Sequence, residues 1–344
     1  MKKVVIIGGG FAGAYAARRL ERDFDVTLID TKDYFEFTPG ILRTIVDTEH
    51  MNKIQVLHND YLTTAHFCFG NVSHITSKEV LVGKKKYSYD YLIISSGSRY
   101  NSPIKEMNLV IATRAQELRK YASTLKSAQK VLIIGGGVVG VELAGEIASA
   151  YSNKEITLVH AKAALIERNP PRARRYAQEV LLKLGVKIIF NEKVIKRDKK
   201  SYVTTTGKVL ETDVAFLCTG IVPNYEFLKE DFSASLNERN LLVVNDFLQV
   251  KGFDHLFSAG DINSVLEEKT AQSAEKQARV VVQNIYHLEQ KEPLEKYDAK
   301  PKPMVISLGQ FKGIFVYQNL VLTGLIPSLM KKVIEWKTMR RYRK

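Results

Sequence analysis

Six glycines in two spaced sets carry the most visible chemistry of this sequence. Gly8-x-Gly10-x-x-Gly13 follows the run Lys3-Val4-Val5-Ile6-Ile7, and Gly135-x-Gly137-x-x-Gly140 follows Lys130-Val131-Leu132-Ile133-Ile134. Each run reads as a fully buried parallel strand. Each glycine set allows a tight turn, close approach of backbone to a pyrophosphate, and close helix–strand packing. Phosphates can then rest on unpaired N–H groups at the N-terminus of the helix that follows, with Phe11 and Ala12 within the first loop and Val138 and Val139 after the second. A single GxGxxG is also what an ordinary Gly-rich βα turn looks like. Here strand, loop, helix and second strand recur as a unit, and two units imply two bound dinucleotides.

The second strand of each unit ends differently. Strand 25–29 runs into Asp30, at the spacing where a carboxylate holds a ribose. Strand 155–159 runs into His160, with Lys162 close behind. A basic residue there tolerates or prefers a 2′-phosphate, so the second site leans toward NADPH or accepts both nicotinamides. A solvated strand end is the plainer alternative.

The elements that must position these groups follow in order. Helices are expected over 14–22, from the second glycine loop to Tyr151, over 114–127 and over 270–289. The segment 31–46 is a turn and a helical stretch returning toward the first site. Its Arg43 is either a solvated helix residue or a phosphate partner. Val72 begins a strand within 52–90. Two buried strands end on small residues, Ser95-Ser96-Gly97 and Cys218-Thr219-Gly220. Gly97 and Gly220 let backbone lie against a ligand. A strand is expected over 241–250, and another just before Gly260-Asp261, where the Asp can bond a ribityl hydroxyl.

Composition narrows the classes. The chain has 344 residues, 45% hydrophobic and 26% charged, ordinary for a globular protein. No apolar run approaches the ~20 residues of a membrane helix. No signal peptide is legible, and Met-Lys at the start does not fit myristoylation, so a cytoplasmic place is expected. Cys68 and Cys218 are the only cysteines and form no CxxC. That argues against a local redox disulfide, and no metal site is expected. Net charge is +14, a field that favours anionic partners. No motif for reading nucleic acid is present.

The tail departs from the rest. A hairpin-like segment over 304–322 leads to a short helix. Ile326, Leu329, Met330, Val333, Ile334 and Trp336 share one apolar arc at 100° per residue, with Lys331, Lys332 and Glu335 opposite. Lys337, Arg340, Arg341, Arg343 and Lys344 follow as a basic cluster. This suits peripheral docking of 326–344 on the anionic cytoplasmic face of a membrane. Docking on this chain or on a second subunit of a homodimer is the alternative.

The combined motifs resemble the two-dinucleotide flavoproteins: the pyridine-nucleotide disulfide oxidoreductases, type II NADH dehydrogenases and apoptosis-inducing factors. Gly140-Val141-Glu142-Leu143-Ala144, Leu217-Cys218-Thr219-Gly220-Ile221 and Trp336-Lys337-Thr338-Met339-Arg340 most resemble the ferroptosis-suppressor, apoptosis-inducing-factor-like quinone reductases. The resemblance implies an α/β chain of two Rossmann-like three-layer domains plus a C-terminal hairpin and amphipathic helix. It implies an FAD domain over 1–110 and 245–300, an NADH- or NADPH-binding domain over 111–244, and an acceptor-side segment over 301–344. It further implies that Gly8 to Ala12, Arg43, Val72 and Asp261 contact FAD. Glu142 would line the nicotinamide pocket, against the plainer reading of a helix-start carboxylate, and Lys269 would lie near the flavin. The Ala-Gln-x-Ala-x-Gln quinone motif survives in part as Ala271-Gln272-Ser273-Ala274-Glu275-Lys276-Gln277. With no cysteine pair between 34 and 43, the acceptor must meet the flavin directly. A membrane quinone, ubiquinone or menaquinone, is the expected acceptor. A soluble flavin reductase acting on ferredoxin, oxygen or another protein is the alternative.

Overall fold

The computed structural model describes residues 1–100, 109–111, 115–198 and 201–343. Two five-stranded parallel sheets organise them. The first has the order Leu256–Ser258, Tyr91–Ile94, Lys3–Ile7, Asp25–Asp30, His66–Phe69. The second has the order Leu109–Ile111, Val214–Leu217, Lys130–Ile134, Glu155–Val159, Lys187–Ile189. In each, the strand before the glycine loop is central. Its register with the next strand is the same too: Lys3 faces Asp25, and Lys130 faces Glu155. The repeat seen in the sequence is therefore a repeat of topology.

Burial on both faces explains why the central strands lack alternation. Val4 to Ile7 and Val131 to Ile134 are all buried. Each such side chain contributes about 1.5–3 kcal/mol. The helices Phe11–Leu20 and Val138–Ala150 start directly at the glycine loops. The first begins three residues earlier than expected, because Gly10 itself is its N-cap.

The chain leaves the first sheet after Tyr91–Ile94, builds the second, and returns with Leu256–Ser258. The outgoing and returning segments pair as an antiparallel ribbon, Ser98 opposite Pro223 and Arg99 opposite Val222. Asn224 locks the crossing through its side-chain amide to the Ser96 carbonyl at 2.8 Å and its backbone N–H to the Gly97 carbonyl at 3.0 Å.

Three expectations are corrected. The strand over 241–250 is reduced to isolated bridges. Asn245 Oδ1 accepts from the amides of Phe247 and Gln249, and Leu248 takes φ +65°, which turns the chain out of extension. Segment 31–46 contains a strand, Tyr34–Glu36, before the 3-10 helix Thr38–Ile45. The tail hairpin is a three-stranded meander, Met304–Ser307, Gly313–Tyr317 and Leu320–Gly324, followed by the helix Leu325–Arg340.

That helix is turned inside out for one docked on a globular body. Leu325, Ile326, Leu329, Val333, Ile334 and Trp336 are exposed, Trp336 by 61%. Ser328, Thr338 and Met339 are buried. The basic tail is also less solvated than its composition suggests. Arg341 pairs with Glu275 at 3.0 Å, Arg343 donates to the carbonyls of Asn52 and Lys53, and Tyr342 is buried.

Candidate active site

Both glycine loops have the geometry of a phosphate cradle. Gly8 takes φ +97°, and a Cβ there would lie 2.3 Å from the Ser95 carbonyl oxygen. Gly135 takes φ +115°, and a Cβ would lie 2.5 Å from the Cys218 carbonyl oxygen. At Gly13 and Gly140 a Cβ would strike the carbonyl of the loop's own first glycine, at 1.8 and 1.9 Å. Gly10 and Gly137 face open space. Among the described residues, neither following helix has a side-chain cap or an acidic residue in its first turn. The helix Ala271–Gln290, by contrast, has its Ser273 amide capped by Thr270 at 3.2 Å. Two uncapped N-termini behind open glycines are a fit for pyrophosphate.

The residues after the second strands hold these loops. Asp30 Oδ2 accepts from the Gly9 amide at 2.7 Å, and Oδ1 from the Lys32 amide at 3.1 Å. Burial opposes its ionised form, but His58, Lys32 and the Gly9 amide outweigh that and hold it below the usual carboxylate range. In the second unit His160 Nδ1 accepts from the Gly136 amide at 3.0 Å. His160 thus serves as an acceptor at the position of Asp30, with Glu167 3.4 Å from its Nε2.

Between the two cradles lie the strand ends. Gly97 and Gly220, both at positive φ, face open space. Asp261 accepts from the Ser98 hydroxyl at 2.7 Å, and Gln277 Oε1 accepts from both the Gly260 amide and Asn263. Lys269 is bound to the carbonyls of Asn263 and Val265. Burial draws its ammonium below the usual lysine range, against the charges of Asp261 and Glu267. Val72 is buried beneath the first sheet in one apolar cluster with Ile29.

Glu142 lies on the inner side of the second-unit helix and is buried. Its Oε1 accepts from the Ser307 amide at 2.7 Å and from Lys331 Nζ at 2.5 Å. One turn on, Glu146 takes Arg43 through Nε and Nη2 at 3.3 and 3.2 Å, and accepts from the Ser307 hydroxyl at 3.2 Å. Glu335 lies 3.3 Å from His50 Nε2. Together these groups line a narrow cavity of ≈ 20 Å³ between Pro39, the second-unit helix and the tail helix. Arg43 thus reaches a carboxylate of the second unit. Lys331 and Glu335, opposite the apolar arc, point inward.

Several of these groups were not singled out in the sequence. Glu146 is one helical turn from Glu142, and that i, i+4 spacing was a usable signal. His58 depends on contacts between distant segments and carries no local signature.

Both cysteines are free thiols. Burial pushes Cys218 up to about 12, which makes it a poor nucleophile.

The comparisons agree with this architecture. The pyridine nucleotide-disulphide oxidoreductase family model matches residues 2–278. Ferroptosis suppressor protein 1 of Xenopus tropicalis is 31% identical over 96% of this chain and 92% of its own length. Apoptosis-inducing factor homolog A of Dictyostelium discoideum is 31% identical over 96% of this chain and 88% of its own. The structure of NDH2 from Plasmodium falciparum in complex with NADH superposes with a TM-score of 0.87 at 18% identity, over 99% of this chain and 96% of that one. The chain therefore belongs to the pyridine nucleotide-disulphide oxidoreductase family, as an enzyme that uses FAD and a pyridine nucleotide.

Proposed function

We propose that the protein is a membrane-docked NAD(P)H:quinone oxidoreductase. The first cradle, within 1–110 and 245–300, takes FAD; the second, within 111–244, takes NADH or NADPH; the segment 301–344 faces the acceptor. Bound FAD supplies the two-electron chemistry. Gly8 to Gly13 hold its pyrophosphate, Asp30 its ribose, and Asp261 its ribityl chain, with Lys269 and Gln277 fixing the strand end behind Gly260. Gly135 to Gly140 and His160 hold the pyridine nucleotide. Glu142 orients the nicotinamide carboxamide at the wall of the cavity. Reduction of a quinone by NAD(P)H consumes one solvent proton, and the Glu142–Lys331 pair is placed to pass it.

The observation that carries the reading is the inverted tail helix. Its ionic face is fixed to Glu142 and His50, and its apolar face is left to the outside. An exposed stripe of Ile326, Leu329, Val333, Ile334 and Trp336, flanked by Lys332, Lys337 and Arg340, suits an anionic lipid interface. A lipid-soluble acceptor then approaches from the side of the tail helix. Among the described residues no helix is long and apolar enough to cross a membrane.

The test is NADH and NADPH oxidation with ubiquinone or menaquinone held in anionic vesicles. The expected result is oxidation that depends on the quinone and falls when the outer face is made polar. Equal oxidation by ferredoxin or oxygen, indifferent to vesicles, would replace this reading with a soluble flavin reductase.

A further inference from the structure

The two units treat their second glycine differently. Beneath Gly136 sits the ring of His160, which takes the glycine amide directly. Beneath Gly9 also sits an imidazole, His58: a Cβ at Gly9 would lie 2.4 Å from its Cε1. Yet His58 comes from a distant turn, His58–Tyr61, and the Gly9 amide goes to Asp30 instead.

His58 is fully buried. Its Nδ1 lies 2.6 Å from the Tyr61 hydroxyl, and its Nε2 lies 3.7 Å from Asp30 Oδ2 with no closer partner among the described residues. Burial holds the Tyr61 phenol well above its usual range, so it keeps its proton. A phenol that donates to Nδ1 selects the tautomer with the ring proton on Nε2, facing the carboxylate. The opposite tautomer would set a lone pair against Asp30.

Tyr61 is in turn held by the C-terminal tail. The Tyr342 ring meets Tyr61 edge-on at 5.0 Å and stacks on Phe35 at 4.0 Å. Arg18 covers Tyr342 at 5.3 Å and donates to the Arg341 carbonyl. Phe35 packs edge-on against Phe11, the first helical residue after the glycine loop, at 5.1 Å. Two aromatic paths therefore run from Tyr342 to the first cradle: one through Phe35 to Phe11, one through Tyr61 and His58 to Asp30.

We propose that Tyr342 and His58 are positioning residues for the first cradle: the tail wedges Tyr61, Tyr61 fixes the His58 ring, and the ring aims Asp30 at the cofactor ribose. This rests on the reading that the first cradle holds FAD. The second unit, whose imidazole is itself the amide acceptor, needs no such support.

The test is FAD release from the holoprotein, followed by the rise of flavin fluorescence, with His ¹⁵N spectra recorded in parallel. Tyr342→Ala and Tyr61→Phe are expected to release FAD about tenfold faster, the loss of roughly one well-placed polar contact. Tyr342→Phe is expected to match the wild type. NADH half-saturation at the second cradle stays unchanged in all three. The His58 spectrum is expected to show a single Nε2–H tautomer. Tyr61→Phe removes one oxygen and keeps the ring, so it decides the matter if Tyr342→Ala fails to fold. Wild-type release from Tyr61→Phe, or a His58 protonated on Nδ1, overturns the proposal. A wild-type protein that takes up no flavin would instead strike the FAD reading on which it rests.

Discussion

Lys331 Nζ and Glu142 Oε1 lie 2.5 Å apart, although 189 residues separate them in sequence. The lysine belongs to a helix with an exposed apolar face, and the glutamate to the helix that opens the second cradle. One ion pair thus joins the outer surface to the interior of the proposed site.

Breaking that pair leaves a buried, uncompensated charge. Lys331→Met or Glu142→Gln is expected to cost about 3 kcal/mol each. The double variant should cost less than the sum, by about 1–3 kcal/mol of coupling. Denaturant unfolding of the four proteins measures this. Strict additivity would mean that the two side chains do not act as a pair.

Glu142→Ala is expected to keep its flavin colour while bleaching about 10–100-fold more slowly on mixing with NADH, because the nicotinamide loses its orienting partner. Stopped-flow absorbance reads this directly. Bleaching at the wild-type rate would remove Glu142 from the reaction.

The outer face of the tail helix is open to a clean substitution. Leu329→Glu with Val333→Glu and Trp336→Glu touches exposed residues only, so the melting temperature should hold. Flotation with anionic vesicles should be lost, and oxidation of NADH by a water-soluble quinone should persist. Undiminished flotation would assign that face to something other than lipid.

Asp30 sets an acid limit. Its folded carboxyl lies below the ordinary 3.8. Stability from its ionised form is therefore fully present above that value and is lost as pH falls through the lower folded one. Asp30→Asn should flatten the acid limb of the stability profile below about pH 4 and loosen FAD at neutral pH. An acid limb unchanged in this variant would contradict the assignment.

At the second cradle, His160→Asp keeps an acceptor for the Gly136 amide while adding a negative charge. The ratio of kcat/KM for NADH over NADPH should rise about tenfold, through repulsion of the 2′-phosphate. An unchanged ratio would place the 2′ position away from His160.

The two cradles were legible in the sequence because their determinants are local. A β-branched run, three glycines and a small-residue helix fix strand, turn and helix within some twenty residues. The apolar arc of the tail was legible for the same reason. Which way that arc faces was not, because it depends on Glu142 and His50 being available to Lys331 and Glu335 from distant segments. Asp30 and His160 stood at equivalent positions in the sequence, but the role of His160 as an acceptor required the Gly136 amide beneath it. The strand expected over 241–250 failed on one residue type: Asn245 offered its own backbone a turn that competed with extension.

The central claim is that electrons pass from pyridine nucleotide through flavin to an acceptor with no thiol between. The most direct measurement is anaerobic NADH oxidation by the doubly substituted Cys68→Ser, Cys218→Ala protein with a quinone analogue. The account predicts a yellow protein that turns over near the wild-type rate. A protein that holds flavin and is bleached by NADH, yet cannot pass electrons to the quinone, would contradict it.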